Sequence, residues 1–407
     1  MTDIPSRKEK PAMSYNNGFR IAATGLSWPS LQPGGLNTYF QSICEQLTLE
    51  RNTLDALICS DEQPQAPDRI RIHTIGSKQQ SIWKRRELMQ KYAAELFDKQ
   101  PMDILYSHFA PYSVGPALEA KKRGIPVVTT FHGPWTEEMK IEGQGIKHFL
   151  KTTLAKSIEM KAYGLSDKFI VLSETFRDIL HEHYKVPLSK IHIIPGAANV
   201  ERFHPAEDRG AVRERLNLPQ NATIVLTVRR LVNRMGLLQL LEAWRRVTER
   251  HPDHLLLIGG KGPLMEELAS KVAEYNLHNH VRLLGYVSDE ELPLYHQASN
   301  LFVVPTQALE GFGLITVEAM ASGLPVLATP VGGSKEILRG FRPELLFQGT
   351  DSEAIAEGLL RVLDHRELLP NARECRDHVL SRYTWGHVAE QVEEVFRQVL
   401  DRKAAAK

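Results

Sequence analysis

The chain has 407 residues, 42% of them hydrophobic and 24% charged, with 50 Lys+Arg against 49 Asp+Glu. That length suits two domains rather than one core, and the apolar fraction excludes a wholly disordered chain. A formal net charge of +1 supplies no global attraction for nucleic acid or an anionic membrane, so any anion site must be local.

Short apolar runs alternate with amphipathic stretches along the sequence. In the first half the predicted strands are Phe19–Thr24, Leu54–Cys59, Ile70–Ile75, Ile104–Tyr106, Pro126–Phe131, Phe169–Leu172 and Ile191–Ile194. Helices are predicted over Leu36–Leu49, Trp83–Phe97, Pro116–Arg123 and Ile146–Tyr163. A polar stretch, Glu201–Gly210, then leads into a new helix, and a domain boundary falls near Pro195–Asn217. The second half repeats the pattern with strands Thr223–Val228, Leu255–Ile258, Val281–Leu284, Leu301–Val304 and Pro325–Ala328. Its helices are Leu237–Glu249, Leu264–Tyr275, Glu290–Gln297 and Thr316–Ala321. Thr384–Asp401 reads as one long helix with Trp385, Val388, Val392, Val395, Phe396 and Val399 on its apolar side. Continuous apolar strands imply parallel sheets buried on both faces. Strand–helix alternation then gives two doubly wound α/β units.

Cys44, Cys59 and Cys375 lie far apart, which indicates neither a disulfide framework nor a cysteine metal site. The polar start of the chain lacks the apolar core of a signal peptide. No apolar run approaches the ~20 residues of a membrane span. The expectation is a soluble, cytoplasmic protein. Lys147, Lys151, Lys156 and Lys161 give Ile146–Tyr163 a basic face. A peripheral membrane contact there ranks behind an ordinary packed helix with a solvated face.

Ligands of open α/β sheets bind outside the carboxyl ends of the strands, and the unusual residues stand there. After Leu301–Val304 comes a loop with Glu310, then Gly311-Phe312-Gly313 opening a helix that carries Glu318. Glycines allow a ligand close to the backbone, and a helix N-terminus suits phosphate. Glu318 is placed to accept hydroxyl hydrogen bonds from a ribose, and Glu310 from a sugar. After Thr223–Val228 comes Arg229-Arg230-Leu231-Val232-Asn233-Arg234-Met235-Gly236, cations suited to a departing diphosphate. After Pro126–Phe131 comes His132, and after Phe19–Thr24 comes Gly34-Gly35.

The segment EGFGLITVEAMASGLPVLATPVGGSKE, with Glu310 and Glu318 eight positions apart, resembles the signature of retaining GT-B glycosyltransferases of family four. The resemblance runs from about Phe19 to Phe396. It implies two facing Rossmann-like domains with a cleft between them. These would be an acceptor-binding domain at 18–198 and a nucleotide-sugar-binding domain at 199–380. Residues 1–17 would be disordered, and a terminal helix at 381–407 would pack back on the first domain.

By position, the resemblance makes Glu310 the contact to donor-sugar hydroxyls and Glu318 the ribose ligand. The amides of Gly311, Phe312, Gly313, Leu314 and Ile315 would meet the diphosphate. Arg230 sits on the family's arginine, whereas Met235 stands where a lysine is usual and Arg229 where a glycine is. Arg234 is expected to substitute for that lysine. His132 matches the active-site histidine, and Gly34 and Gly35 match glycines lying against the donor phosphates. Lys261 and Val287 fall near the nucleotide base, and His108 is the candidate for an acceptor contact. Glu336 aligns with a glutamate of structural role.

The function implied is transfer of a sugar, with retention, from a nucleoside-diphosphate sugar carrying UDP to an acceptor hydroxyl. No cofactor, metal or nucleic acid is expected. The acceptor is a small molecule, lipid or glycan. The alternative is a non-catalytic nucleotide-sugar-binding protein of the same fold. A dinucleotide-dependent oxidoreductase is set aside, because no G-x-G-x-x-G follows a strand with an acidic residue about 20 positions on.

Overall fold

The computed structural model describes residues 18–142 and 146–405, and side chains outside 140–150 and 404–407. The expected disorder of 1–17 and the side chain of Lys147 lie outside the described residues. Seven strands make the first sheet: β1 (Arg20–Thr24), β2 (Thr53–Ile58), β3 (Ile70–Thr74), β4 (Ile104–Ser107), β5 (Val127–Phe131), β6 (Lys168–Val171) and β7 (Ile191–Ile193). Five make the second: β8 (Ile224–Val228), β9 (Leu255–Gly259), β10 (Val281–Gly285), β11 (Leu301–Val304) and β12 (Val326–Ala328). The orders are β3-β2-β1-β4-β5-β6-β7 and β10-β9-β8-β11-β12.

Pairing is parallel in both sheets, for instance Ile21 against Leu54 and Ile104, and Val225 against Leu256 and Leu301. Helices on both faces explain why β4, β5, β6, β9 and β11 are buried throughout and lack the in–out alternation of a half-exposed strand. In each sheet the strand order reverses once, between β1 and β4 and between β8 and β11. Such a switch point is where an open α/β sheet holds its ligand.

All twelve predicted strands are present. The helices Trp135–Glu142, Glu174–Tyr184, Gly332–Arg339, Ser352–Asp364 and Ala372–Leu380 were not foreseen. The helix predicted over Pro116–Arg123 begins earlier, at Ala110, with Pro116 inside it. Proline reads as a helix start from sequence, and here the surrounding packing overrides that signal, since Ala110 to Ala117 are all buried.

The chain divides into two compact units, one from the described residues of 1–130, 158–169 and 389–407, the other from those of 131–157 and 170–388. The core of the first unit gathers Leu57, Met89, Phe97, Leu105, Tyr112 and Val127. The terminal helix spans Trp385–Ala405, and its six apolar-side residues are each at most 9% exposed. In the first unit Phe396 meets Phe19 and Tyr106 edge to face, at centroid distances of 5.9 and 5.2 Å, and Asn52 Nδ2 donates to Glu393 Oε1 at 2.8 Å. The three cysteines are buried and unpaired. No described helix is long and apolar enough to cross a membrane.

Candidate active site at the carboxyl ends of the second sheet

β8 and β11 are neighbours, so the loops that follow them meet at the switch point of the second sheet. The loop after β8 carries the arginines, turns through the 3-10 segment Asn233–Met235, and enters the helix Leu237–Arg250 through Gly236. Gly236 has φ 72°, and a Cβ there would stand 1.8 Å from the Pro305 carbonyl oxygen, so only glycine lets the two loops touch. Gln307 N donates to Arg234 O at 2.8 Å, and Arg234 Nη1 donates to Leu309 O at 2.9 Å. The guanidinium of Arg234 is thereby fixed by the backbone of the loop that presents Glu310.

Glu310 is 6% exposed. Its Oε1 accepts from Arg229 Nη2 at 3.2 Å and from Ser334 Oγ at 3.0 Å, and Ser334 shares a further hydrogen bond with Thr316 Oγ1 at 2.6 Å. Gly332 and Gly333 make this approach possible, because Cβ atoms there would lie 2.0 Å from Glu310 O and 2.2 Å from Phe312 O. The other carboxylate oxygen, Oε2, is buried with no protein partner, as are Arg229 Nη1, Thr227 Oγ1 and Thr306 Oγ1. Burial draws the Arg229 guanidinium below the ordinary arginine range, against the upward pull of Glu310.

Arg230 and Arg234 both face Glu138, in the helix Trp135–Glu142. Arg234 Nη2 is 3.2 Å from Glu138 Oε1, and Arg230 Nη2 is 3.7 Å from Oε2. The two arginines differ in setting, with side chains 4% and 56% exposed respectively. Met235 is buried, so the position where a lysine was sought holds a core side chain.

The helix Leu314–Ala321 starts at Gly313 (φ 87°, ψ 54°) with no side-chain cap and no acidic residue in its first turn. A Cβ on Gly313 would meet Ser334 Oγ at 2.3 Å, and one on Gly311 would meet Phe176 at 2.7 Å. Phe312 is buried, its ring 5.7 Å from that of Tyr383. Its side chain therefore serves the core, and the segment has backbone to offer a ligand. Leu314 and Ile315 are half-buried. Glu318, one turn on, is also half-buried, and burial pushes its carboxyl up to about 7, with Arg202 drawing it down and Asp289 adding to the rise.

Further along the same edge, Lys261 Nζ sits 4.4 Å above the Tyr286 ring, and Val287 closes on the end of β9, where a Cβ on Gly259 would be 2.7 Å from it. Strand order thus sets Val287, Lys261, the arginines and Glu310 in a row on one edge of the sheet. Glu336 accepts from the amides of Glu174 and Thr175 at 2.8 and 3.0 Å, which caps the helix Glu174–Tyr184.

His132 follows β5, belongs to the same unit as the arginines, and is half-buried. Burial lowers its imidazole to about 3, so it is neutral at physiological pH. In the first unit, Gly34 precedes the helix Gly35–Leu47 with φ 148° and ψ 150°, and a Cβ there would meet nothing within 4 Å. His108 is 3% exposed and enclosed by the rings of Tyr106, Phe40 and Tyr39 at 4.1, 4.9 and 6.0 Å. Among the described residues no group of three His, Cys, Asp or Glu is placed to hold a metal. Arg229, Ser334 and Glu138 escaped the sequence reading. Arg229 stood out only as a departure from a pattern, and Glu138 lies in a helix, Trp135–Glu142, that the sequence reading did not include.

Comparison with known proteins adds two family models in tandem, Glycosyltransferase Family 4 over residues 33–202 and Glycosyl transferases group 1 over residues 208–376. The UDP-Gal:alpha-D-GlcNAc-diphosphoundecaprenol alpha-1,3-galactosyltransferase of Escherichia coli is 26% identical over 314 residues, 76% of this chain and 79% of its own. The D-inositol 3-phosphate glycosyltransferase of Corynebacterium urealyticum is 31% identical over 254 residues, 59% of each chain. In fold, the sucrose-phosphate synthase of Thermosynechococcus elongatus matches with a TM-score of 0.80 at 23% identity, covering 94% of this chain and all of that one. Anabaena HepE, solved in complex with UDP-glucose, matches with a TM-score of 0.74 at 18% identity, covering 93% of this chain and all of that one.

Proposed function

The chain belongs to the GT-B glycosyltransferases of family four, and from that premise we propose that it transfers a sugar, with retention of configuration, from a UDP-sugar to an acceptor hydroxyl. The observation that carries this reading is the buried pair Arg229–Glu310, whose second nitrogen and second oxygen have no protein partner. Buried polar groups of folded proteins are almost always hydrogen-bonded. A vicinal diol of a sugar donates to Glu310 Oε2 and accepts from Arg229 Nη1, and so completes both. UDP is the nucleotide named for a matched relative that uses UDP-Gal and for a matched structure crystallised with UDP-glucose, and GDP-mannose and ADP are named for others.

In this reading the diphosphate lies on the backbone from Gly311 to Ile315 and is clamped by Arg230 and Arg234. Negative charge accumulates on it as the glycosidic bond breaks, and fixed cations stabilise that charge without reorganisation. Arg234 supplies the cation that Met235 does not. Glu318 accepts from the ribose, and Val287 and Lys261 flank the base. His132, being neutral, takes part in hydrogen bonding to the donor sugar rather than in charge neutralisation.

Thermal melting with UDP-, GDP- and ADP-sugars tests the proposal. A ligand at about a hundred times its Kd stabilises by about 2.7 kcal/mol, and the UDP-sugars are expected to give the rise. Release of UDP in the presence of acceptor extracts then establishes turnover. Binding with no turnover of any donor leaves the non-catalytic alternative standing.

A further inference from the structure

The arginines assigned to the diphosphate already hold an anion, and it belongs to the chain itself. Glu138 places Oε1 3.2 Å from Arg234 Nη2 and Oε2 3.7 Å from Arg230 Nη2. Its side chain is 26% exposed, which leaves it a route to water, whereas Arg234 is fixed from behind by the Leu309 carbonyl. One partner of the pair is therefore anchored and the other is free to leave. The helix that bears Glu138 is short, Trp135–Glu142, and follows directly on His132, Gly133 and Pro134. Gly133 has φ 133°, a backbone state open to glycine, and a Cβ on it would come within 3.6 Å of Glu138 Oε1. The carboxylate thus rests against the residue next to His132.

We infer that Glu138 is an internal occupant of the diphosphate seat, which the donor must displace before it can bind. This rests on the arginine assignment of the preceding section. A carboxylate and a phosphate compete for one guanidinium because each satisfies the same N–H donors and the same charge. When only a fraction of molecules has the seat free, the apparent Kd rises by the inverse of that fraction. Displacement also releases the segment that carries His132, so arrival of the diphosphate and freedom of the histidine become one event. Without donor, the carboxylate keeps two arginines from lying side by side uncompensated.

The test is isothermal titration of UDP and of inorganic pyrophosphate into the intact protein and into Glu138→Gln. The amide keeps the shape and removes the charge. Glu138→Gln is expected to bind both probes about tenfold tighter, as when roughly one seat in ten is free in the parent protein. Equal or weaker binding by the variant, with the parent binding normally, overturns the inference and leaves the proposed function intact. No binding of either probe by either protein overturns the arginine assignment itself. As a second readout, tryptophan emission is expected to shift on UDP addition, with the shift lost in Trp135→Phe. Should Trp135 stay silent while UDP binds, displacement of its helix is refuted.

Discussion

The two sheets reverse their strand order at equivalent points, yet the two points are filled with opposite chemistry. Between β1 and β4 the space is taken by rings: His108 lies among Tyr39, Phe40 and Tyr106, and a Cβ on Gly25 would meet the Phe40 ring at 2.4 Å. Its loop is tied by neutral amides, with Asn37 accepting from Ser27 N and donating to Gln32 O. Between β8 and β11 the space holds Arg229, Glu310 and Arg234, all nearly closed to solvent. Topology therefore supplies two equivalent switch points, and the side chains line one with rings and the other with charged groups. The glycines follow suit. Gly236 and Gly313 are required by neighbours, whereas Gly34 has open space and is required only by its backbone angles.

The comparison breaks most visibly at Glu310. Glu310→Ala is expected to cut turnover by about a hundredfold or more, the usual loss for a contact made in the transition state. It also leaves Arg229 buried without its counter-charge, which costs about 3–5 kcal/mol by analogy with other broken buried pairs. Near-native rates in steady-state kinetics would refute the role. Arg230→Ala is expected to lower turnover by about a hundredfold with little change in melting temperature, because Arg230 is half solvated and its 3.7 Å pair with Glu138 is partly open to water. Arg234→Met, by contrast, is expected to weaken UDP binding by about tenfold and to lower the melting temperature as well, since a buried donor to Leu309 is lost. Unchanged UDP affinity in Arg234→Met means that this arginine does not stand in for the lysine.

At the other switch point the expected effects on stability are smaller. Gly34→Ala is expected to destabilise by about 1–3 kcal/mol through backbone strain, with no steric clash to relieve; denaturant unfolding measures it. The smallest effect concerns Glu318. Its carboxyl titrates at about 7 in the folded chain, above the ordinary value, so the protonated form favours the fold and that contribution fades as pH rises through 7. Ribose hydroxyls prefer the ionised form, so UDP-glucose affinity is expected to climb severalfold from about pH 6 to about pH 8. In Glu318→Gln that slope should vanish. A slope that persists assigns the titration elsewhere.

Much of this was readable from sequence because strands rich in apolar residues between turn signals leave a clear trace: all twelve predicted strands are present, and the apolar stripe of the terminal helix is buried. The helices Glu174–Tyr184 and Ser352–Asp364 lie outside the motif-bearing segments. Both have a clear amphipathic period and N-caps, Ser173 and Asp351, that a closer reading of start signals reaches. Arg229 and Glu138 are another matter. Their partners stand 81 residues away from Arg229 and on a different loop from Glu138, and no local pattern encodes an ion pair across such a distance. The rings around His108 are equally silent in the sequence, since Tyr39, Phe40 and Tyr106 stand on other elements.

The contact of Phe396 with Phe19 and Tyr106 has a consequence for folding kinetics. It joins rings that most of the sequence separates. Contacts so distant along the polypeptide slow folding, because the entropy of closing the intervening loop is spent before the contact rewards it. A substitution of Phe396 would leave the seam beside Phe19 open to water, and the damage would appear far along the polypeptide from the lesion.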